Sequence, residues 1–182
     1  TSTINCPATP VFAVATATDA CGSAFTLTSA DVTTPGTCAG SYSVTRTWTA
    51  TDACGNTTTA SQTINVQDIT APTIITPASN ITVECDGQGN QNALATWLAS
   101  HGGATATDTC SAVTWSNNFN AINNNCSASV SVIFTATDVC GNASSTTASF
   151  SIQDITAPVI ATLPVPSTIN CPATPVFAVA TA

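Results

Sequence analysis

Nine cysteines and nine acids are the reactive side chains of this 182-residue chain, set against one arginine, one histidine and no lysine. Cysteine at that density makes disulfides in an oxidising compartment, where small domains offset thin cores with cross-links. Zinc is the competing chemistry. No C-x-x-C pair occurs, and His101 is not near a cysteine in sequence, so the ligand spacing is wrong for it. The acids are placed by pattern. Asp19, Asp52, Asp108 and Asp138 each stand two residues before a cysteine in ATDxC, and Asp68 and Asp154 each stand in QDITAP. Only Asp31, Glu84 and Asp86 fall outside these motifs.

The elements that place these residues repeat. Ser2–Ala17 recurs unchanged as Ser167–Ala182, a period of 165 residues. Inside it TATDACGN (Thr49–Asn56) returns as TATDVCGN (Thr135–Asn142), and Gln67–Pro72 returns as Gln153–Pro158, both 86 residues later. Cys6 matches Cys85 and Cys171, Cys21 matches Cys110, Cys38 matches Cys126, and Cys54 matches Cys140. The expected units are 1–69, 70–156 and the start of a third at 157–182, whose one cysteine, Cys171, has its partner beyond the sequence. The chain reads as part of something longer.

Each unit is threonine-rich and alternating. Tyr42, Val44, Arg46, Trp48 and Ala50 share one face, as do Val130, Val132, Phe134 and Ala136; Ile64 and Val66 match Phe150 and Ile152. Period two, β-branched residues and Gly/Asn/Pro punctuation predict antiparallel strands. About seven short strands per unit would fit an all-β chain of tandem Ig-like β-sandwiches. Ten extra residues between Cys85 and Cys110 hold NALATWLASHGG, with Leu94, Trp97 and Leu98 at helical spacing. They predict one short helical insertion, about 91–101, ended by Gly102.

In an up-down sandwich, Cys21 and Cys54 share one pole, while Cys6 and Cys38 share the other. Three connectivities per unit are open. The economical one joins Cys6–Cys38, Cys21–Cys54, Cys85–Cys126 and Cys110–Cys140. The linker then delivers the next unit at the pole where its ATDxC runs end. Asp68 is expected to approach Asp108 and Asp138, Asp154 the counterparts in the third unit, and Asp19 with Asp52 a preceding linker. Carboxylates gathered with turn carbonyls suit a hard cation such as calcium. Asx capping of the turns is the alternative, and the two coexist. Arg46 is expected at the rim with its guanidinium in solvent, Trp48 and Asp31 being the contacts within reach.

Charged residues are 5% of the chain, where soluble domains carry about 25%. The net charge of −8 thus reflects missing cations. Arg46 alone cannot neutralise phosphates, which excludes nucleic acid and docking on anionic membranes. No apolar stretch approaches the ~20 residues of a bilayer span. Without lysine there is no Lys–Asn isopeptide clamp. With a single histidine and no G-x-S-x-G, Walker or HExxH pattern, enzyme chemistry has no support.

CP near a strand start, ATDxCG, WTATDxCGN and QDxTAP resemble HYR-type (hyalin-repeat) Ig-like modules along the whole chain. The four-cysteine, nearly lysine-free form resembles tandem arrays in giant surface adhesins of gliding Bacteroidota-type bacteria, exported by the type IX route; gliding adhesins and the grappling-hook filaments of predatory gliders are the nearest types. The resemblance implies an extracellular, cell-surface, elongated segment that serves as a structural repeat of an adhesin or filament. Its expected partners are further repeats of the same chain and copies of itself, associating laterally through neutral faces. A carbohydrate-binding module is the second reading, with Trp115, beside Asn117 and Asn118, as the platform for cell-surface glycans.

Overall fold

The computed structural model describes residues 1–20, 22–160 and 168–177. Among the described residues the fold is all-β with one short α-helix. In the first unit, strands β1 (Ser2–Asn5), β2 (Phe25–Pro35), β3 (Tyr42–Asp52) and β4 (Thr57–Gln67) form one sheet in the order β1-β4-β3-β2. The β2–β3–β4 ribbon is antiparallel, whereas β1 runs parallel to the end of β4, with Asn5 opposite Gln67. In the second unit, β5 (Thr73–Thr76) pairs with β7 (Thr105–Thr107), and β6 (Ile81–Glu84), β10 (Ala143–Gln153), β9 (Ser129–Thr137) and β8 (Thr114–Asn117) form a second four-stranded sheet in that order. The parallel β1–β4 contact recurs as β6–β10, with Glu84 opposite Gln153.

The second unit has the two sheets of the expected sandwich. The first differs: its described strands make a single sheet, and the described residues 6–20 and 22–24 contain no strand. The burial follows. On β9, Val132, Phe134 and Ala136 are fully buried, and Ala148, Phe150 and Ile152 meet them from β10. The matching face of β3 is only half-buried, because an irregular segment replaces the second layer. There Phe12 packs edge-on to Trp48, with ring centroids 6.2 Å apart. The outer faces carry cross-strand hydroxyl pairs, Thr45–Thr63, Thr47–Ser61 and Ser129–Ser151, each at 2.9 Å.

The insertion forms α1 (Gln91–Ala99), followed by a 3-10 turn at His101–Gly103. Leu94 and Trp97 are buried, and Trp97 meets Phe134 and Phe150 at 5.1 and 5.6 Å between centroids. The indole N–H donates to the Ser79 carbonyl at 3.1 Å, so its polar atom is satisfied. The helix ends at Ala99 with Ser100 as its C-cap, ahead of the expected stop at Gly102, which lies inside the 3-10 turn. At φ 65 this glycine is left-handed, and a Cβ there would lie 3.2 Å from Phe134 and 3.3 Å from the Trp97 ring nitrogen.

Arg46 stays partly exposed and takes Asp31, one of the two contacts within its reach. It stands directly opposite Asp31 across the β2–β3 ladder, and its Nε and Nη2 donate to the two carboxylate oxygens at 2.7 and 2.8 Å. Its guanidinium also lies over the Phe12 ring, 4.5 Å from the centroid, rather than over Trp48. A bidentate partner in register outweighs solvation of the free cation.

Candidate functional site

The cysteines and patterned acids converge where the first unit meets the second. The parallel pairing of β1 with β4 puts Cys6 at the end of β4, where its N–H donates to the Gln67 carbonyl at 2.9 Å. Cys38 lies in the β2–β3 turn, which Ser41 closes through its N–H to the Cys38 carbonyl. Both therefore flank Asp68, the first residue after β4. The turns after β7 and β9 bring Cys110 and Cys140 to the same place.

The disulfides follow this proximity. Cys6 bonds Cys110, and Cys38 bonds Cys140, with Cα–Cα separations of 6.1 and 5.2 Å. The expected Cys6–Cys38 and Cys110–Cys140 pairs are thereby corrected. Each of these four cysteines lies at its expected pole, but its partner stands across the junction. The third disulfide is Cys85–Cys126, at the far pole of the second unit. Cys54 is a free, exposed thiol; the expected Cys21–Cys54 pair falls on Cys21, which lies outside the described residues. The backbones meet closely. Gly40, left-handed at φ +85, would carry a Cβ 3.0 Å from the Cys110 carbonyl oxygen.

A polar network fills the space between the two cross-links. Asp68 is 5% exposed although it is an aspartate in a linker. Ser111 Oγ donates to its carboxylate at 3.4 Å, and the Thr70 N–H does so at 3.3 Å. Its backbone N–H donates to Ser41 Oγ, while its carbonyl accepts Asn142 Nδ2 at 3.1 Å. The same Nδ2 donates to Asp138 at 2.7 Å. Asn142 thus ties the first unit's linker to the second unit's turn.

The expected acids are brought together in part. Ligand atoms of Asp68, Asp108 and Cys110 all lie within 4.8 Å of one another. Cys110 is spent in its disulfide, which leaves two carboxylates. Asp108 also caps its turn, accepting the N–H groups of Cys110 and Ser111 at 2.8 and 3.0 Å. Asp138 joins through Asn142 and stands outside the cluster. Asp52 makes the same turn in the first unit, accepting the Asn56 N–H and side-chain amide at 2.8 Å. Asp19 accepts the Ser23 hydroxyl. Asp154, the counterpart of Asp68, is exposed and accepts the Thr156 N–H at 3.2 Å. Trp115 is half-buried, and the imidazole of His101 stacks on it at 5.0 Å, so the indole is not an open platform.

Asn142, Ser111, Ser41 and Gly40 escaped the sequence reading. The signal for Asn142 was present: an asparagine stands four residues after the aspartate in both copies of TATDxCGN. No sequence feature marked the junction-side role of Gly40 or Ser41.

Burial pushes the Asp138 carboxyl up, but the Asn142 side chain and the N–H groups of Asn142, Gly141 and Cys140 outweigh it and hold the group below its ordinary 3.8. The Asn56 side chain and then its N–H do the same for Asp52.

Residues 1–66 match the family model described as an HYR-like domain with 4 cysteines. A comparison with curated proteins finds no match. Among solved structures, the crystal structure of Drosophila N-cadherin EC1-4 aligns with 74% of this chain at 16% identity and a TM-score of 0.35. The chain spans 42% of that structure's length.

A carboxyl whose folded pKa is depressed stabilises the fold above its unfolded pKa and loses that contribution as pH falls through the folded value. Thermal stability should therefore fall as pH drops below about 3.8 and keep falling at lower pH, more shallowly in Asp138→Asn. At neutral pH, Asn142→Ala should lower the unfolding midpoint more than Asn56→Ala, since only Asn142 donates across the junction. Equal shifts in calorimetry would contradict the bridging role.

Proposed function

We propose that the chain is a structural repeat segment of a long extracellular, cell-surface adhesin or filament, serving as a stiff disulfide-bonded shaft. The observation that carries this reading is the pair of cross-links between successive units, Cys6–Cys110 and Cys38–Cys140. A disulfide inside a unit stabilises that unit. Two disulfides between units also fix the angle at the joint, which a shaft needs. The 165-residue recurrence supports length by repetition. Neutral hydroxyl-rich faces support lateral association of copies, because little charge opposes it. The specific setting, a type IX-exported adhesin of gliding or predatory bacteria, belongs to the same proposal.

A cation at the junction is part of this reading. Asp68 and Asp108 supply two oxygen donors close together, and water would complete the six to eight oxygens that calcium takes. Its contribution would be to neutralise two carboxylates held side by side at the joint.

Load along the shaft bypasses any segment enclosed by a cross-link. The sequence separations closed are 104 and 102 residues. Pulled from its two ends under a force microscope, the reduced chain should extend about 350 Å further than the oxidised one, at about 3.3–3.6 Å per residue released. Equal extensions would sink the shaft reading. For the cation, calcium at about 100 times its Kd should stabilise the oxidised chain by about 2.7 kcal/mol in thermal unfolding, and Asp68→Asn should abolish the shift. No shift at millimolar calcium would return Asp68 and Asp108 to turn capping alone.

A further inference from the structure

The two poles of the repeat are complementary, and one joint displays both. At that joint the first unit's leaving pole (Cys6, Cys38, Asp68) sits in the second unit's entering pole (Asp108, Asp138, Asn142, Cys110, Cys140). The second unit also has a leaving pole, and the first an entering pole, and each differs from its engaged counterpart in one consistent way. Asp154 is exposed where Asp68 is buried. Cys85 and Cys126 bond each other where Cys6 and Cys38 bond across the joint. Cys54 is a free, exposed thiol where Cys140 is bonded. Asn56 holds Asp52 as Asn142 holds Asp138, yet only Asn142 also donates to a linker carbonyl.

The first unit's entering pole is also open. A cleft of about 280 Å³ is lined by Asp19, Asp52, Asn56, Phe25 and Thr58. By sequence register Asp19, Asp52 and Asn56 are the counterparts of Asp108, Asp138 and Asn142, the groups gathered around Asp68 in the engaged joint.

We propose that this pole is a covalent socket whose occupant is the leaving pole of the preceding unit in the same chain. The next joint along, between the second unit and the third unit that starts at residue 157, forms one of its two cross-links by the same pairing. The QDIT segment at Asp154 enters the cleft of the third unit, and Cys126 bonds that unit's fourth cysteine, the counterpart of Cys54. This rests on reading the chain as a repeat segment. The bond forms by exchange without an oxidant. The fourth-cysteine thiolate attacks the Cys126 sulfur, the Cys85–Cys126 bond breaks, and Cys85 leaves as a thiolate that takes a proton. One disulfide is exchanged for another. Cys85–Cys126 is therefore the resting pair of an unengaged pole, held ready for the next unit.

The recurrence makes the test direct, because Ala182 corresponds to Ala17. Appending a second copy of residues 18–69 after Ala182 continues the period and supplies a third unit with all four cysteines. Peptide mapping of the oxidised, alkylated protein by mass spectrometry should find Cys126 bonded to the appended copy of Cys54 within one molecule. The Cys85–Cys126 peptide, present in the 182-residue chain, should be lost. Changing the appended Cys54 to serine should bring that peptide back, which separates exchange from misfolding. Persistence of Cys85–Cys126 beside an alkylated appended Cys54 would overturn the socket. Bonding of Cys126 to a different molecule, seen as disulfide-linked oligomers, would overturn the in-chain occupant. Neither result would touch the extension difference on which the shaft reading stands.

Discussion

Two covalent cross-links around one buried aspartate set the geometry of this chain. Cys6–Cys110 and Cys38–Cys140 close from either side of Asp68, and the Asp68 carbonyl and carboxylate are claimed by Asn142 and Ser111 of the second unit. Burying an unpaired carboxylate is costly, so the site depends on those donors being in place. The disulfides hold them there. Closing about 100 residues restricts the unfolded chain by roughly 4–5 kcal/mol per bond considered alone, against roughly 3–4 for a bond closing about 33 residues. Pairing across the joint thus contributes at least as much to stability as pairing within a unit, and it also fixes the joint.

The units share this constraint unequally because their cores differ. The second unit closes a core around Val132, Phe134 and Phe150, with Trp97 of the inserted helix capping it. The first presents one sheet, with Ile64 and Val66 its buried hydrophobic residues and Phe12 and Arg46 laid across β3. A unit with so little buried apolar surface gains most from being stapled to a well-packed neighbour. The direction of the cross-links, from the first unit's leaving pole to the second's entering pole, does that.

Much of this was legible in the residues, and the failures have specific physical causes. Periodicity located β3, β4, β9 and β10, and the face carrying Val132, Phe134 and Ala136, because a half-buried strand must alternate. Leu94 and Trp97 marked α1 by their spacing, whereas its end came at Ala99, ahead of Gly102. The motif positions put Asp68 near Asp108, since the linker has one pole to run to. The disulfide partners were not legible. Sequence register gives each cysteine's pole but not which of two thiols, one in its own unit and one in the next, it bonds. The missing second layer of the first unit was equally hidden, because Phe12 and Val14 fit an alternating strand as well as an irregular segment. Arg46 needed the β2–β3 register to show Asp31 opposite it.

The central claim is that successive units are joined covalently, and disulfide mapping of the oxidised 182-residue chain tests it most directly. Free thiols are blocked at low pH, the chain is cleaved without reduction, and linked peptides are assigned by mass spectrometry. The account predicts peptides joining Cys6 to Cys110 and Cys38 to Cys140, with Cys54 alkylated. Peptides joining Cys6 to Cys38 and Cys110 to Cys140 would contradict it, because each unit would then be closed on itself and the joint left to hydrogen bonds.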